Sequence, residues 1–154
     1  MAWLGLDQGL GGSLCWRNGS EIKFYDVPVL RAGKGNRRIY DIAECDALIG
    51  ALPAVDAVIT EDIHVIPRNG ALTAFSQGQS TMLWKVLCWV HVLPLRLVTP
   101  PVWKRALGLS GKGKDASLAL ARELFPQVAN QLKRVKDDGR AEALLLTVWQ
   151  ERQG

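Results

Sequence analysis

The chain has 154 residues, 48% of them hydrophobic and 22% charged, which suits one globular domain with a substantial core and excludes a long disordered or low-complexity protein. A formal net charge of +4 favours an anionic partner, nucleic acid first among them, although a surplus of solvated lysines gives the same balance. Cys15, Cys45 and Cys88 match no zinc or CxxC spacing and each lies in an apolar segment, so they read as buried free thiols in a reducing, cytoplasmic compartment.

In chain order, Ala2 to Asp7 reads as a buried strand that runs into a glycine-rich turn at Gly9, Gly11 and Gly12. The start, MAWLGLDQG, lacks the basic stretch and long apolar run of a signal peptide. Leu14 to Arg17 and Glu21 to Val29 pair as a hairpin about Asn18-Gly19. Arg31 to Arg38 (RAGKGNRR) is basic and glycine-rich and reads as an exposed, solvated loop at least as well as a nucleic-acid contact. Asp41 to Leu52 carries Ile42, Cys45, Leu48, Ile49 and Leu52 at helical spacing, and Pro53 stops it.

Val55 to Thr60 predicts a second buried strand that ends at Glu61 and Asp62. A long, mostly buried helix is expected from Thr73 to Val92. The apolar stretch from Met82 to Val98 falls short of a membrane span, being broken by Lys85, His91, Pro94 and Arg96. Leu95 to Val98 makes a further strand, and Pro100-Pro101 opens a short helix through Trp103 and Ala106. Lys114 to Leu124 and Asp137 to Gln150 complete the helices. Strands joined partly by a hairpin and partly through helices imply one α/β domain over residues 1–154, with a mixed sheet covered by helices.

Acidic residues fall where that fold would use them. Asp7 and Glu61 each end an apolar strand, and the carboxyl ends of strands form the usual active-site edge of such sheets. If the two strands are neighbours, their carboxylates face each other and need a cation between them. Asp138 and Glu142, four apart, share one helical face. Asp137 or Asp138 would also serve as a helix cap, and Glu142 as a solvated side chain. Together the four acids suit two hard divalent cations of the kind that activate water for phosphodiester hydrolysis. His64 follows the acidic pair and is the better functional histidine, whereas His91 reads as a helix-surface or satisfied core residue. Phe75, Trp84, Trp89 and Trp103 read as core or dimer-interface residues.

Four blocks of the sequence, in order, resemble the RuvC-like Holliday-junction resolvases, and in particular their phage and prophage branch. GLDQGLGGSL resembles the first-strand motif, and ITEDIHVIPRNGALTAFSQGQS the second block with its strand-end Glu and DNA-contacting loop. VTPPVWKRALGLSGKGKDASLALARELFP carries the TP-x-x-W-K-x-x-L-G-L segment of the phage branch, and KRVKDDGRAEALLL resembles the closing block.

The resemblance implies an RNase H-like fold with a mixed five-stranded sheet flanked by helices. It also implies a homodimeric, structure-selective endonuclease that makes paired nicks across four-way DNA junctions with Mg²⁺ or Mn²⁺, two ions per active site. Asp7, Glu61, Asp138 and Glu142 become the metal-binding acids, with Lys114 as the basic catalytic residue. Lys114 matches the family's basic residue, and His64, in the loop expected to meet distorted bases, matches an aromatic stacking position. Read from the residues themselves, Lys104, Arg105 and Lys112 beside Gly108, Gly111 and Gly113 are DNA contacts or a solvated loop, Arg68 and Asn69 contact backbone or shape the turn, and the long apolar helix from Thr73 is a dimer surface or a helix buried within the monomer. The chain departs from the family in three places. Its last acid is Glu142 rather than Asp, the spacing of the closing acids is one residue longer than in bacterial enzymes, and Gln79 stands where the phage branch commonly has a basic residue. The spacing leaves Asp137 and Asp138 both open as the ligand, with Asp138 favoured. A broader branched-DNA nuclease and a non-catalytic junction binder are the competing readings.

Overall fold

The computed structural model describes residues 1–154 and places the opening apolar run, β1 (Ala2–Asp7), at the centre of a five-stranded sheet. β2 (Ser13–Asn18) and β3 (Glu21–Asp26) extend the sheet antiparallel on one side. After β4 (Val29–Ala32), β5 (Arg37–Tyr40) and α1 (Ile42–Ala51) the chain re-enters the sheet as β6 (Ala57–Glu61), parallel to β1. It then crosses through α2 (Ala71–Val90) to β7 (Leu95–Val98), again parallel. The strand order is β3-β2-β1-β6-β7. The remainder is helical: α3 (Pro100–Ala106), α4 (Lys114–Leu124), 3-10 turns at Pro126–Gln131 and Val135–Asp137, and α5 (Asp138–Glu151).

Strand alternation divides the core in two, because successive side chains leave opposite faces of a sheet. Leu4, Leu6, Leu14, Trp16 and Val58 meet α1 and α2 through Cys45, Ile49, Trp84 and Leu87. Trp3, Cys15, Ala57 and Ile59 meet α3, α4 and α5 through Trp103, Leu118, Leu144 and Leu145. The three cysteines are buried and free, as their apolar settings imply, and burial pushes the Cys45 and Cys88 thiols up to about 11.

α5 approaches the sheet closely at Gly5, where an added Cβ would stand 1.8 Å from the Ala143 carbonyl oxygen. Only a residue without a side chain lets the two backbones meet there. Arg17 fastens the same helix from β2. It is buried, donates from Nε to Thr147 Oγ1 at 2.8 Å, and pairs through Nη2 with Glu151 at 2.8 Å.

Three local expectations need correction. β3 stops at Asp26, and segment 31–38 is not a loop throughout. It supplies most of a β4–β5 hairpin whose turn is made by Gly33, Gly35 and Asn36 at positive φ, with the apolar pair Leu30 and Ile39 in register beside it. The β2–β3 turn centres on Gly19 and Ser20, since Asn18 pairs with Glu21; Gly19 supplies the positive φ a tight hairpin needs. α2 is also far less buried than its composition implies. Ser80, Trp84, Leu87 and Cys88 face inward, whereas Leu72, Phe75, Met82 and Trp89 are exposed, so Phe75 and Trp89 do not belong to the core. An apolar run around most of a helix does not reveal which side the sheet will cover.

Candidate active site

The alternation that sorts the core also aims the acids. Odd-numbered residues of β1 and β6 face α5, so Asp7 follows Trp3 and Gly5, and Glu61 follows Ala57 and Ile59, onto that face. The strands are parallel neighbours in register Leu6 to Thr60, which puts Asp7 and Glu61 side by side at the carboxyl edge. Asp138 and Glu142 enter from the first turns of α5. There Gly139 packs against the glycine turn so tightly that an added Cβ would lie 2.8 Å from Asp7 Oδ2 and 3.2 Å from the Gly11 carbonyl oxygen.

The electrostatics follow from that convergence. Asp7 is raised from 3.8 to about 7, first by burial and then by the charges of Glu142, Glu61 and Asp138, with Lys114 opposing. Burial also raises Glu61, against the hydrogen bond from Trp103 Nε1 at 2.8 Å. Two cations answer the acids: Lys114 Nζ lies 2.6 Å from Asp138 Oδ2, and Lys104 Nζ 3.4 Å from Glu142 Oε1. Asp138 in turn raises Lys114 above its ordinary range.

Asp137 has a different task. It is buried, pairs with Arg134 at 2.7 Å and accepts from the Arg134 backbone N–H at 2.8 Å, and those bonds hold it below the usual carboxylate range. It therefore secures the turn ahead of α5, while Asp138 faces Asp7.

The donor set suits an oxygen-seeking divalent cation in its chemistry, since it offers carboxylates and neither His nor Cys. As the side chains stand, no three such groups are close enough together to hold one ion. The two facts are compatible, because carboxylates repel over distances well beyond the roughly 2.0–2.6 Å of a metal–oxygen bond. Asp138 and Glu142 are presently turned to Lys114 and Lys104, and both would have to swing from those partners to share a cation with Asp7 and Glu61.

The remaining candidates scatter. Lys104 is half-buried and Lys114 exposed, both paired with the cluster's acids, while Arg105 at the end of α3 and Lys112 in the loop before α4 are exposed. His64 is exposed and reaches 3.1 Å from Asp62, Arg68 is exposed in the same loop, and Asn69 donates to Gln77 at 3.4 Å. None of these three touches the acids. His91 caps α2 and bonds Asp46 at 2.7 Å.

Two functional residues escaped the sequence reading. Gln8 is buried and its carboxamide donates to the Glu61 carbonyl at 2.8 Å, while its own carbonyl accepts from Tyr40, Ser80 and Trp84, so it ties the two acid-bearing strand ends together. Trp103, read as core or interface, is fully buried but spends its indole N–H on Glu61. The only signal for it was the W-K pair in the TP-x-x-W-K segment. Trp103→Phe keeps most of the apolar bulk and removes that bond. If the acid cluster is catalytic, turnover is expected to fall about tenfold, corresponding to about 1.4 kcal/mol at the transition state, with circular dichroism unchanged. Wild-type turnover would mean that Glu61 needs no such support.

No family model matches the chain. Over 91 residues it is 43% identical to "Holliday junction resolvase MOC1, chloroplastic" of Chlamydomonas reinhardtii, a stretch equal to 55% of this chain and 10% of that protein. The chain thus spans about a tenth of the length of the curated relative it matches. Among solved structures, Thermus thermophilus RuvC in complex with a Holliday junction substrate superposes with a TM-score of 0.65 at 18% identity, over 100% of this chain and 96% of that one. A second Thermus thermophilus RuvC structure gives 0.57 at 19% identity, over 100% and 97%. The fold is that of RuvC, an RNase H-like mixed sheet with flanking helices. No helix is long and apolar enough to cross a membrane.

Proposed function

We propose that the protein is a structure-selective DNA endonuclease that resolves four-way junctions by metal-dependent hydrolysis of phosphodiester bonds. The observation that carries this reading is the gathering of Asp7, Glu61, Asp138 and Glu142 on one face of the sheet, with Asp7 pushed to about 7 by burial and by the other three. Structural ion pairs do not call for four mutually repelling acids at one site, whereas holding two divalent cations for phosphodiester hydrolysis does. The likeness to a junction resolvase over 91 residues supports the choice of substrate.

Magnesium or manganese, as two ions, would be held by the four carboxylates and would supply a water acidic enough to attack near neutral pH. The chain's own groups do the rest. Trp103 and Gln8 fix the side chain and the backbone of Glu61, so one donor keeps its aim. Lys114, exposed and free to swing from Asp138, offers a positive charge to the non-bridging oxygens of the scissile phosphate. Arg105 and Lys112 continue that positive surface towards solvent, and the loop carrying His64, Arg68 and Asn69 stands ready to meet unpaired bases at the branch point.

Paired nicks need two sites. The exposed apolar stripe of α2, with Leu72, Phe75, Met82 and Trp89, is the surface through which two copies join. A reducing compartment such as the cytoplasm suits the three free thiols.

Cleavage of labelled four-way junction, Y-fork, linear duplex and RNA–DNA hybrid in Mg²⁺, Mn²⁺ and EDTA tests the reading. Symmetric nicks confined to the four-way junction and lost in EDTA are expected. Equal cutting of forks would widen the substrate to branched DNA at large, and tight junction binding without cutting in either metal would sink the enzymatic reading.

A further inference from the structure

A second basic surface is carried by the β4–β5 hairpin and the short turn ahead of α5. In that hairpin Arg31 and Arg38 are direct cross-strand partners. Like charges so placed repel, and the arrangement costs stability unless an anion lies against both. The pair shares its face with Val29 and Tyr40, which pack on the core, so this face turns towards the body of the protein.

Arg38 accordingly reaches the glycine turn after Asp7, its Nη1 lying 3.8 Å from where a Cβ on Gly11 would stand. A cleft of about 250 Å³ opens there, with Gly11, Gly12, Arg38, Arg134 and Lys136 in its walls. Across the same glycine turn sits Gly139 of α5, beside the Asp7 carboxylate. The turn is thus the wall shared by the cleft and the acid cluster.

The acids bordering the cleft are already committed. Asp26 pairs with Arg140 at 2.7 Å and Asp137 with Arg134 at 2.7 Å. Arg31, Lys34, Arg37, Arg38 and Lys136 are exposed and make no ion pair. A group of unpaired cations beside bare glycine backbone complements a closely spaced row of phosphates, and duplex DNA carries about one negative charge per 1.7 Å of axis.

We propose that the β4–β5 hairpin and Lys136 bind the sugar–phosphate backbone of a duplex DNA arm as it leaves the acid cluster. The proposal rests on the junction-nuclease reading and adds to it a contact surface beyond the loop after Glu61 and the α3–α4 lysines. An arm held here would meet the acids across the glycine turn, while Lys104 and Lys114 meet them directly.

The test is junction affinity against salt concentration in EDTA for the whole protein and for the triple variant Arg31→Gln, Arg38→Gln, Lys136→Gln. The slope of log affinity against log salt is expected to become shallower by about 2–3, and binding near 0.1 M salt to weaken by about tenfold or more. Thermal stability is expected to hold or rise, since the Arg31–Arg38 repulsion is gone. Lys23→Gln, Lys85→Gln, Arg152→Gln makes the same change in net charge elsewhere and should leave the slope alone. Unchanged affinity and slope in the first variant would overturn the arm surface while the nuclease reading stands, and an equal loss in the second would overturn it in favour of bulk charge. A wild-type protein that binds no branched DNA would bring down the nuclease reading itself.

Discussion

Asp7→Asn is expected to lower junction cleavage by about 10³-fold or more, because on the proposed mechanism it removes a metal donor and with it several kcal/mol of transition-state stabilisation. Junction binding should persist or tighten, since one carboxylate fewer repels the phosphates. The same variant makes a second, independent prediction in EDTA. A carboxyl whose folded-state pKa of about 7 lies above its ordinary 3.8 holds its proton better folded than unfolded. Metal-free stability therefore falls as pH rises from about 4 to about 7, and the full cost, at most about 4 kcal/mol, is present above that window. Asparagine stays neutral throughout, so the variant should melt higher than wild type at pH 8 and alike at pH 4. Cleavage at the wild-type rate would remove Asp7 from the reacting centre. A melting point at pH 8 no higher than wild type would show that neither burial nor the neighbouring acids disfavour the Asp7 charge.

Gly5→Ala should have the largest effect on folding, a loss of about 3 kcal/mol or more in urea unfolding. The added methyl would stand 1.8 Å from the backbone oxygen of Ala143, and neither central β1 nor buried α5 can give way as a flexible side chain would. Any accommodation lifts α5 off the sheet and carries Asp138 and Glu142 away from Asp7. Cleavage should therefore fall even under conditions where the variant remains folded. A stability within about 0.5 kcal/mol of wild type would show that the close approach is not required.

Much of this site could be read from the chain because its signals are local. An apolar run that ends in an acid marks Asp7 and Glu61, and the parallel pairing of β1 and β6 makes them neighbours. Asp137 and Asp138 could not be separated by spacing, because both fit the start of a helix; the choice is made by Arg134, whose backbone and side chain take up Asp137. The β4–β5 hairpin was hidden by its composition, since basic residues and glycines read as solvent-exposed loop whether or not their backbones pair. The exposure of Phe75 and Trp89 and the bond from Trp103 to Glu61 depend on tertiary placement, which no periodicity within one helix encodes.

Half of the acids ride on sheet strands and half on α5, and the seam between them is closed by contacts such as Arg17 to Thr147, 130 residues apart. The acid cluster is therefore a property of the finished tertiary structure. A partly folded chain whose α5 has not docked brings together two carboxylates instead of four. Proteolytic nicking or fraying that frees that helix would dismantle the cluster outright, since neither half holds all four acids. Closure across so many residues is of the kind that forms late in folding, so the four acids meet only in the completed fold.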